Sequence, residues 1–210
     1  MSCDTAGTVA AIRAVAATVA AHKVELTHLD REIGDGDHGE NLSRGFTAVL
    51  TKLDAGDPKN PGAVLKLVAT TLISTVGGAA GPLFGTAFLR AATSVGDADT
   101  LDGAAVAAAL TAARDGVVAR GKAESGDKTM VDALTPAVTA AKTAADGGGG
   151  VGEVLAAAAE AAAAGAQATI PLQARKGRAS YLGERSIGHL DPGATSTGYL
   201  LQALASAAKA

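Results

Sequence analysis

Three aspartates, Asp30, Asp35 and Asp37, fall within eight residues in the stretch Leu29-Asp30-Arg31-Glu32-Ile33-Gly34-Asp35-Gly36-Asp37-His38-Gly39-Glu40-Asn41. Gly34 and Gly36 stand between them, and residues without a Cβ let the backbone bend sharply. Like charges held this close repel, so a fold keeps them together only where a cation neutralises them or water solvates them. Carboxylate oxygens are hard donors suited to Mg²⁺ or Ca²⁺, and Mg²⁺ in particular is held by a few carboxylates together with the oxygens of a substrate phosphate. The spacing therefore points to a divalent-ion site, with one ion if the side chains converge and two if they bridge.

Three literal motif matches compete with that reading, and each fails on its surroundings. Gly34, Gly36 and Gly39 spell G-x-G-x-x-G, but a dinucleotide fingerprint needs a strand before it, and residues 5–26 read as helix. An EF-hand starting at Asp35 requires glycine at its sixth position and glutamate at its twelfth, where the chain has Glu40 and Phe46. Gly116 to Lys122 approaches a P-loop, yet Ala123 replaces the required Ser or Thr and the segment ends a helix instead of following a strand.

The scaffold for such a site is legible in composition. About a quarter of the 210 residues are alanine and aromatics make up 2%, which predicts an all-α protein, because alanine favours helix and aromatic or β-branched residues mark strands. The length suits a single domain over 1–210. A net charge of −3 with one short basic cluster, Arg175-Lys176-Gly177-Arg178, argues against nucleic acid and suits a small anion. Cys3 is the only cysteine, which excludes an intrachain disulfide and agrees with a reducing cytoplasm. Asp4 and Arg13 spoil a signal peptide, and Glu153 and Glu160 spoil a membrane span in the alanine-rich run from Val151 to Ile170. The expectation is a cytoplasmic protein with no membrane contact.

Helical spacing of Val9, Ile12, Val15 and Val19 predicts a first helix from Thr5 to about Leu26, with Asp4 as N-cap. Leu42, Phe46, Val49 and Leu53 predict a second, whose first turn contains His38 to Asn41 and offers unpaired N–H groups to phosphate oxygens. A third, about Gly62 to Val76, is apolar on most sides. Gly77-Gly78-Ala79-Ala80-Gly81 then opens a fourth, either for a close helix crossing or so that a ligand can approach the backbone. A fifth runs to about Arg120, and a sixth carries Val131, Leu134, Val138 and Ala141 with Pro136 as a kink. Asp146 to Gly150 reads as a flexible hinge before a seventh helix from Val151 to about Thr169. Ile170 to Gly193, rich in cations and glycine, reads as a lid, and a final helix runs from about Ala194 to Ala208.

Eight helices on short connections form an antiparallel up-and-down bundle. The connections after helices one, three, five and seven then gather at one rim, which collects the carboxylates, the glycine-rich segment, the Gly121–Lys128 linker and the lid. That is an inventory for a metal–polyphosphate, with Arg178 suited to phosphate through its planar fork. His38 reads as a solvated loop residue or a phosphate contact. Lys122 and Lys128 read as solvated. His189 and Asp191 read either as site residues or as caps of the last helix, with Pro192 at its start.

Four blocks carry a family resemblance: Asp30 to Gly39, Gly77 to Thr86, Gly126 to Asp132 and Ala174 to Ala194 resemble the signature blocks of dihydroxyacetone kinase L subunits. The resemblance spans nearly the whole chain and implies an eight-helix barrel with ADP or ATP bound at one end. It implies that Asp30, Asp35 and Asp37 coordinate two Mg²⁺ ions, and that His38, Asn41, Gly78, Ala79, Ala80, Gly121, Met130, Arg178, Asp191, Pro192 and Gly193 contact the nucleotide. Ala80 stands where relatives often have Ser, so any contact there is made by backbone. The resemblance also implies partners: a K subunit that holds dihydroxyacetone and a phosphohistidine carrier of the phosphoenolpyruvate-dependent phosphotransferase system that recharges ADP, with an oligomer compatible. Two other functions fit the same residues, namely a subunit of an ATP-dependent kinase for another small sugar or sugar alcohol, and a nucleotide-dependent regulator of a transcription factor.

Overall fold

The computed structural model describes residues 3–209. Its helices are α1 (Thr5–Ala21), α2 (Lys23–Ile33), α3 (His38–Ala55), α4 (Pro61–Thr75), α5 (Ala80–Val95), α6 (Gly103–Gly121), α7 (Met130–Asp146), α8 (Val151–Gln167) and α9 (Pro192–Ala207), with a 3-10 segment over Arg178–Ser186. A two-residue ladder pairs β1 (Cys3–Asp4) antiparallel with β2 (Thr100–Leu101).

Side chains fix most of the helix starts. Asp4, Asn60, Asp102 and Asp191 each accept a hydrogen bond from a backbone N–H of the first turn, at 2.7–2.8 Å. Thr129 and Asp132 form a reciprocal capping box at the start of α7. Pro61 and Pro192 occupy first-turn positions, where a missing N–H costs nothing.

Among the described residues there are nine α-helices, one more than the periodicity predicts, because the expected first helix breaks at His22. The His22 ring stacks on Tyr199 with centroids 3.9 Å apart, and its Nδ1 lies 2.7 Å from Glu25 Oε2. His22, at φ −97° and ψ 9°, ends α1 and starts α2. The eight-membered architecture survives nonetheless. Helices α3 through α9 contact one another in order, and α1 closes the ring between α9 and α3. The extra helix, α2, leans on α3 and α9.

Packing divides the interior into two halves. Ile12, Val15, Val19, Leu42, Phe46, Val49, Val64, Val68 and Leu72 form the bulky half, between α1, α3 and α4. The other half, between α7, α8 and α9, is mostly alanine, and small side chains let these helices approach closely. The contact of α2 with α3 is tighter still. A Cβ on Gly39 would lie 2.0 Å from Lys23 O and 2.5 Å from Thr27 Oγ1, so only glycine permits the crossing that sets α2 against the start of α3.

The expected hinge at Asp146 to Gly150 folds back onto the helix before it, with Gly149 N donating to Ala144 O at 2.9 Å. Its Gly149 carbonyl also lies against Gly103, at the start of α6. No helix of the described residues is long and apolar enough to cross a membrane.

Candidate functional site

Alternating helix direction places the N-termini of α3, α5, α7 and α9 at the same end of the ring. There they surround a cavity of about 380 Å³, lined from all the rim segments that the sequence singles out. Each N-terminus contributes partial positive charge, so the cavity favours anions before any side chain is counted.

The three aspartates converge at its mouth, with one oxygen from each within 4.8 Å of the others. Asp30 is not a loop residue, as expected, but sits in the last turn of α2. Its Oδ2 accepts from Asp37 N at 2.8 Å and from His38 N at 3.1 Å. Of the turn expected to offer its amides to phosphate, His38 N is therefore already engaged, as is Asp37 N before it. A buried carboxylate already neutralises the N-terminus of α3, and the loop 34–37 is bent around it. Arg178 Nε pairs with Asp35 Oδ2 at 2.9 Å, so one cation already answers part of the repulsion in the cluster. The donor set is all oxygen, with Asp35 and Asp37 exposed, which fits a hard divalent ion.

His38 is buried at the first position of α3, and its Nε2 lies 2.9 Å from Ser196 Oγ. Ser196 Oγ also lies 3.1 Å from Gly193 O, to which it donates, so the ring and the start of α9 share one hydroxyl. Burial holds the imidazole below its ordinary pKa, against the opposing pull of Asp30 and Asp37. Ser196 has no sequence signal beyond its place in an apolar helix. Asn41 is buried one turn deeper, where its Oδ1 accepts from Arg44 Nη2, and it lies outside the cavity lining.

The glycine-rich segment supplies the site's open backbone. The starts of α3, α7 and α9 are covered by Asp30, Thr129 with Asp132, and Asp191, whereas α5 has no side-chain cap among the described residues. Gly78, at φ +65°, turns the chain into α5, with nothing within 4 Å of where its Cβ would stand. Gly77 to Ala80 line the cavity, so the uncapped turn of α5 is its natural seat for phosphate oxygens.

Behind this polar mouth the lining turns apolar, with Leu83, Phe84, Val117 and Met130, and Gly121 beside them. A Cβ on Gly121 would come within 3.2 Å of Leu83. Gly121 and Met130 have no chemical signature and are placed only by the fold. Asp191, Pro192 and Gly193 form another wall. Both readings of Asp191 hold, because it caps α9 through Ala194 N at 2.7 Å and also lines the cavity. Burial pushes its carboxyl up to about 7, against the Ala194 hydrogen bond and the Lys128 charge. The final helix thus starts at Pro192, two residues earlier than expected.

The lid of residues 170–191 closes over the mouth through Arg178 to Asp35 and through His189 Nδ1 to Glu32 Oε2 at 3.0 Å. Lys128 contradicts its expected solvation. It is 1% exposed and lies beneath the lid.

The DAK2 domain model matches residues 32–206. The chain is 52% identical over 184 residues, 88% of each partner, to the "PEP-dependent dihydroxyacetone kinase, ADP-binding subunit DhaL" of Escherichia coli (strain K12). It is 41% identical, over 87% of each chain, to the "PTS-dependent dihydroxyacetone kinase, ADP-binding subunit DhaL" of Lactococcus lactis subsp. lactis (strain IL1403). Among solved structures, the dihydroxyacetone kinase of C. freundii in complex with AMP-PNP and Mg²⁺ matches with a TM-score of 0.70 and 25% identity. That alignment covers 98% of this chain and 34% of the kinase, so the chain spans about a third of that larger protein.

Proposed function

Because the chain belongs to the DAK2 domain family, we propose that it is the nucleotide-bearing subunit of a dihydroxyacetone kinase. In this reading it keeps ADP as a resident cofactor and is recharged to ATP by a phosphohistidine carrier of the phosphoenolpyruvate-dependent phosphotransferase system. It then passes the phosphoryl group to dihydroxyacetone held by a K subunit. The observation that carries the reading is one cavity joining a triple-carboxylate mouth, an uncapped helix start and an apolar slot of a size suited to a purine.

Each part has a task. Leu83, Phe84, Val117 and Met130 bury the base, and the chain at Asp191 to Gly193 bounds it. The backbone of Gly78 to Ala80 receives the phosphates, with α5 directing its positive end at them. Arg178 exchanges Asp35 for a phosphate oxygen, a trade between two partners that match its planar fork. Asp30, Asp35 and Asp37 would hold Mg²⁺, two ions in the full complex, which neutralise the phosphate charge when bound. Phosphoryl transfer asks the protein for positioning and charge balance more than for covalent chemistry, and no nucleophile is required of this chain. Exposed apolar groups on the lid, Tyr181 at 87% and Ile187 at 44%, offer a K subunit surface to bury.

Mass analysis of nucleotide released by denaturing the dialysed protein tests the reading. The expected result is ADP that a phosphorylated carrier converts to ATP, with no turnover of dihydroxyacetone until a K subunit is added. Protein that emerges without nucleotide and exchanges ATP freely would overturn the relay in favour of an ordinary ATP-dependent kinase subunit.

A further inference from the structure

Lys128 is a charged side chain at 1% exposure, held at φ +61°, in the left-handed region that disfavours any residue with a Cβ. Strain and a buried charge at one position require compensation from the surroundings. The compensation is specific. Lys128 Nζ donates to Thr169 O at 2.6 Å and also to His189 O. These carbonyls stand where the chain leaves α8 and where it returns to α9, so one ammonium holds both feet of the lid. Nearby bonds tighten the same neck, with Gly188 N donating to Ile170 O at 2.8 Å and Arg175 N donating to Asp127 O at 3.1 Å. Thr169 Oγ1 accepts from Asp191 N at 3.0 Å, which links the clamped foot to the wall of the cavity.

We infer that Lys128 is a positioning residue whose ammonium closes the neck of the 170–190 lid and thereby sets Arg178 and the Asp191–Gly193 wall for nucleotide. The geometry argues for more than a satisfied core lysine. Both acceptors are main-chain carbonyls of the lid's two ends, 20 residues apart in sequence, and neither belongs to the α6–α7 linker that carries the lysine. A methylene chain without charge fills the same space but joins neither foot. Burial holds the Lys128 pKa below its ordinary value, and Asp191 and Asp132 pull against that shift.

The affinity part of the inference rests on the nucleotide reading above, while the lid part does not. In folded Lys128→Met, amides of residues 171–188 should exchange about tenfold faster than in the unsubstituted protein, the scale of one lost charge-assisted hydrogen bond, while those of α4 stay unchanged. Mg-ADP should bind about tenfold more weakly for the same reason. In Lys128→Ala, added propylammonium should restore slow lid exchange and an uncharged alkane of the same size should not, whereas a purely volumetric role would let both restore it. Unchanged lid exchange in a folded Lys128→Met protein overturns the inference. Should the unsubstituted protein bind no Mg-ADP while the lid responds as expected, the nucleotide reading falls and the clamp stands. If Lys128→Met does not fold, reductive methylation of the native protein decides. Lys128 should be spared relative to the exposed Lys52, and equal labelling of the two overturns the clamp.

Discussion

At the scale of single residues, the site works by shared use of charge. Asp30 serves the N-terminus of α3 and the carboxylate cluster at once, and Asp35 holds Arg178 in place. Replacing Asp35 with Asn removes a ligand charge and the Arg178 partner together. Because Asp35 is exposed, stability should stay within about 0.5 kcal/mol, as for most surface substitutions, while Mg-ADP affinity measured by calorimetry falls at least about tenfold. Asp191 gives a pH prediction. Its folded carboxyl titrates near 7, above the ordinary value of 3.8, so the folded state holds that proton more tightly than the unfolded chain does. Its contribution is therefore full below the ordinary carboxylate pKa and is lost as pH rises through about 7. Denaturant midpoints collected from about pH 4.5 to about 8 should decline for the unsubstituted protein and stay flatter for Asp191→Asn, which keeps an N-cap oxygen without the ionisation.

At the scale of elements, α2 decides whether the aspartates meet. It carries Asp30 in its last turn and is pressed against α3 at Gly39, where even a methyl group would lie 2.0 Å from Lys23 O. Gly39→Ala should displace α2, cost about 1–3 kcal/mol as overpacking does, and weaken Mg-ADP binding beyond what the stability loss explains. Chemical denaturation beside a binding isotherm checks both. The start of α5 behaves differently. A side chain at Gly78 has open space but the wrong backbone sign, so Gly78→Val should cost about 1–2 kcal/mol of strain and place bulk in the cavity, with nucleotide binding lost while the helical spectrum is kept.

At the scale of the whole molecule, the ring and the lid play different parts. Eight helices make a rigid cup, and the lid is tied to it by the surface Arg178–Asp35 ion pair, the His189–Glu32 contact, the Arg175–Asp127 backbone bond, the packing of Ala174 and Ala179 on Ile33, and the buried Lys128. Exposed ion pairs are weak, on the order of 0–1 kcal/mol each, so the lid opens far more readily than the cup. Trypsin should therefore cut first at Arg175, Lys176, Arg178 or Arg185, and Mg-ADP should slow that cleavage. Mass spectrometry of the early fragments reads the outcome, and first cuts within α4 or α8 would contradict this division of rigidity.

The sequence by itself determined the class of fold, the run of ring helices and the rim at which its unusual segments meet, because these follow from local periodicity, turn residues and the alternation that short connections impose. It also announced the aspartates, whose clustering is chemically conspicuous at short range. What it concealed depends on contacts far apart along the chain. The first helix breaks at His22, which stacks on Tyr199, and helix then runs on through Asp30 to Ile33; the stack joins residues no local pattern connects. Lys128 reads as a solvated cation until Thr169 and His189 are brought to it. Gly121 and Met130 acquire a role only as lining. Only the tertiary structure decided these, because hydrogen-bond satisfaction and burial belong to the neighbours a residue meets in space, and side-chain type alone does not name them.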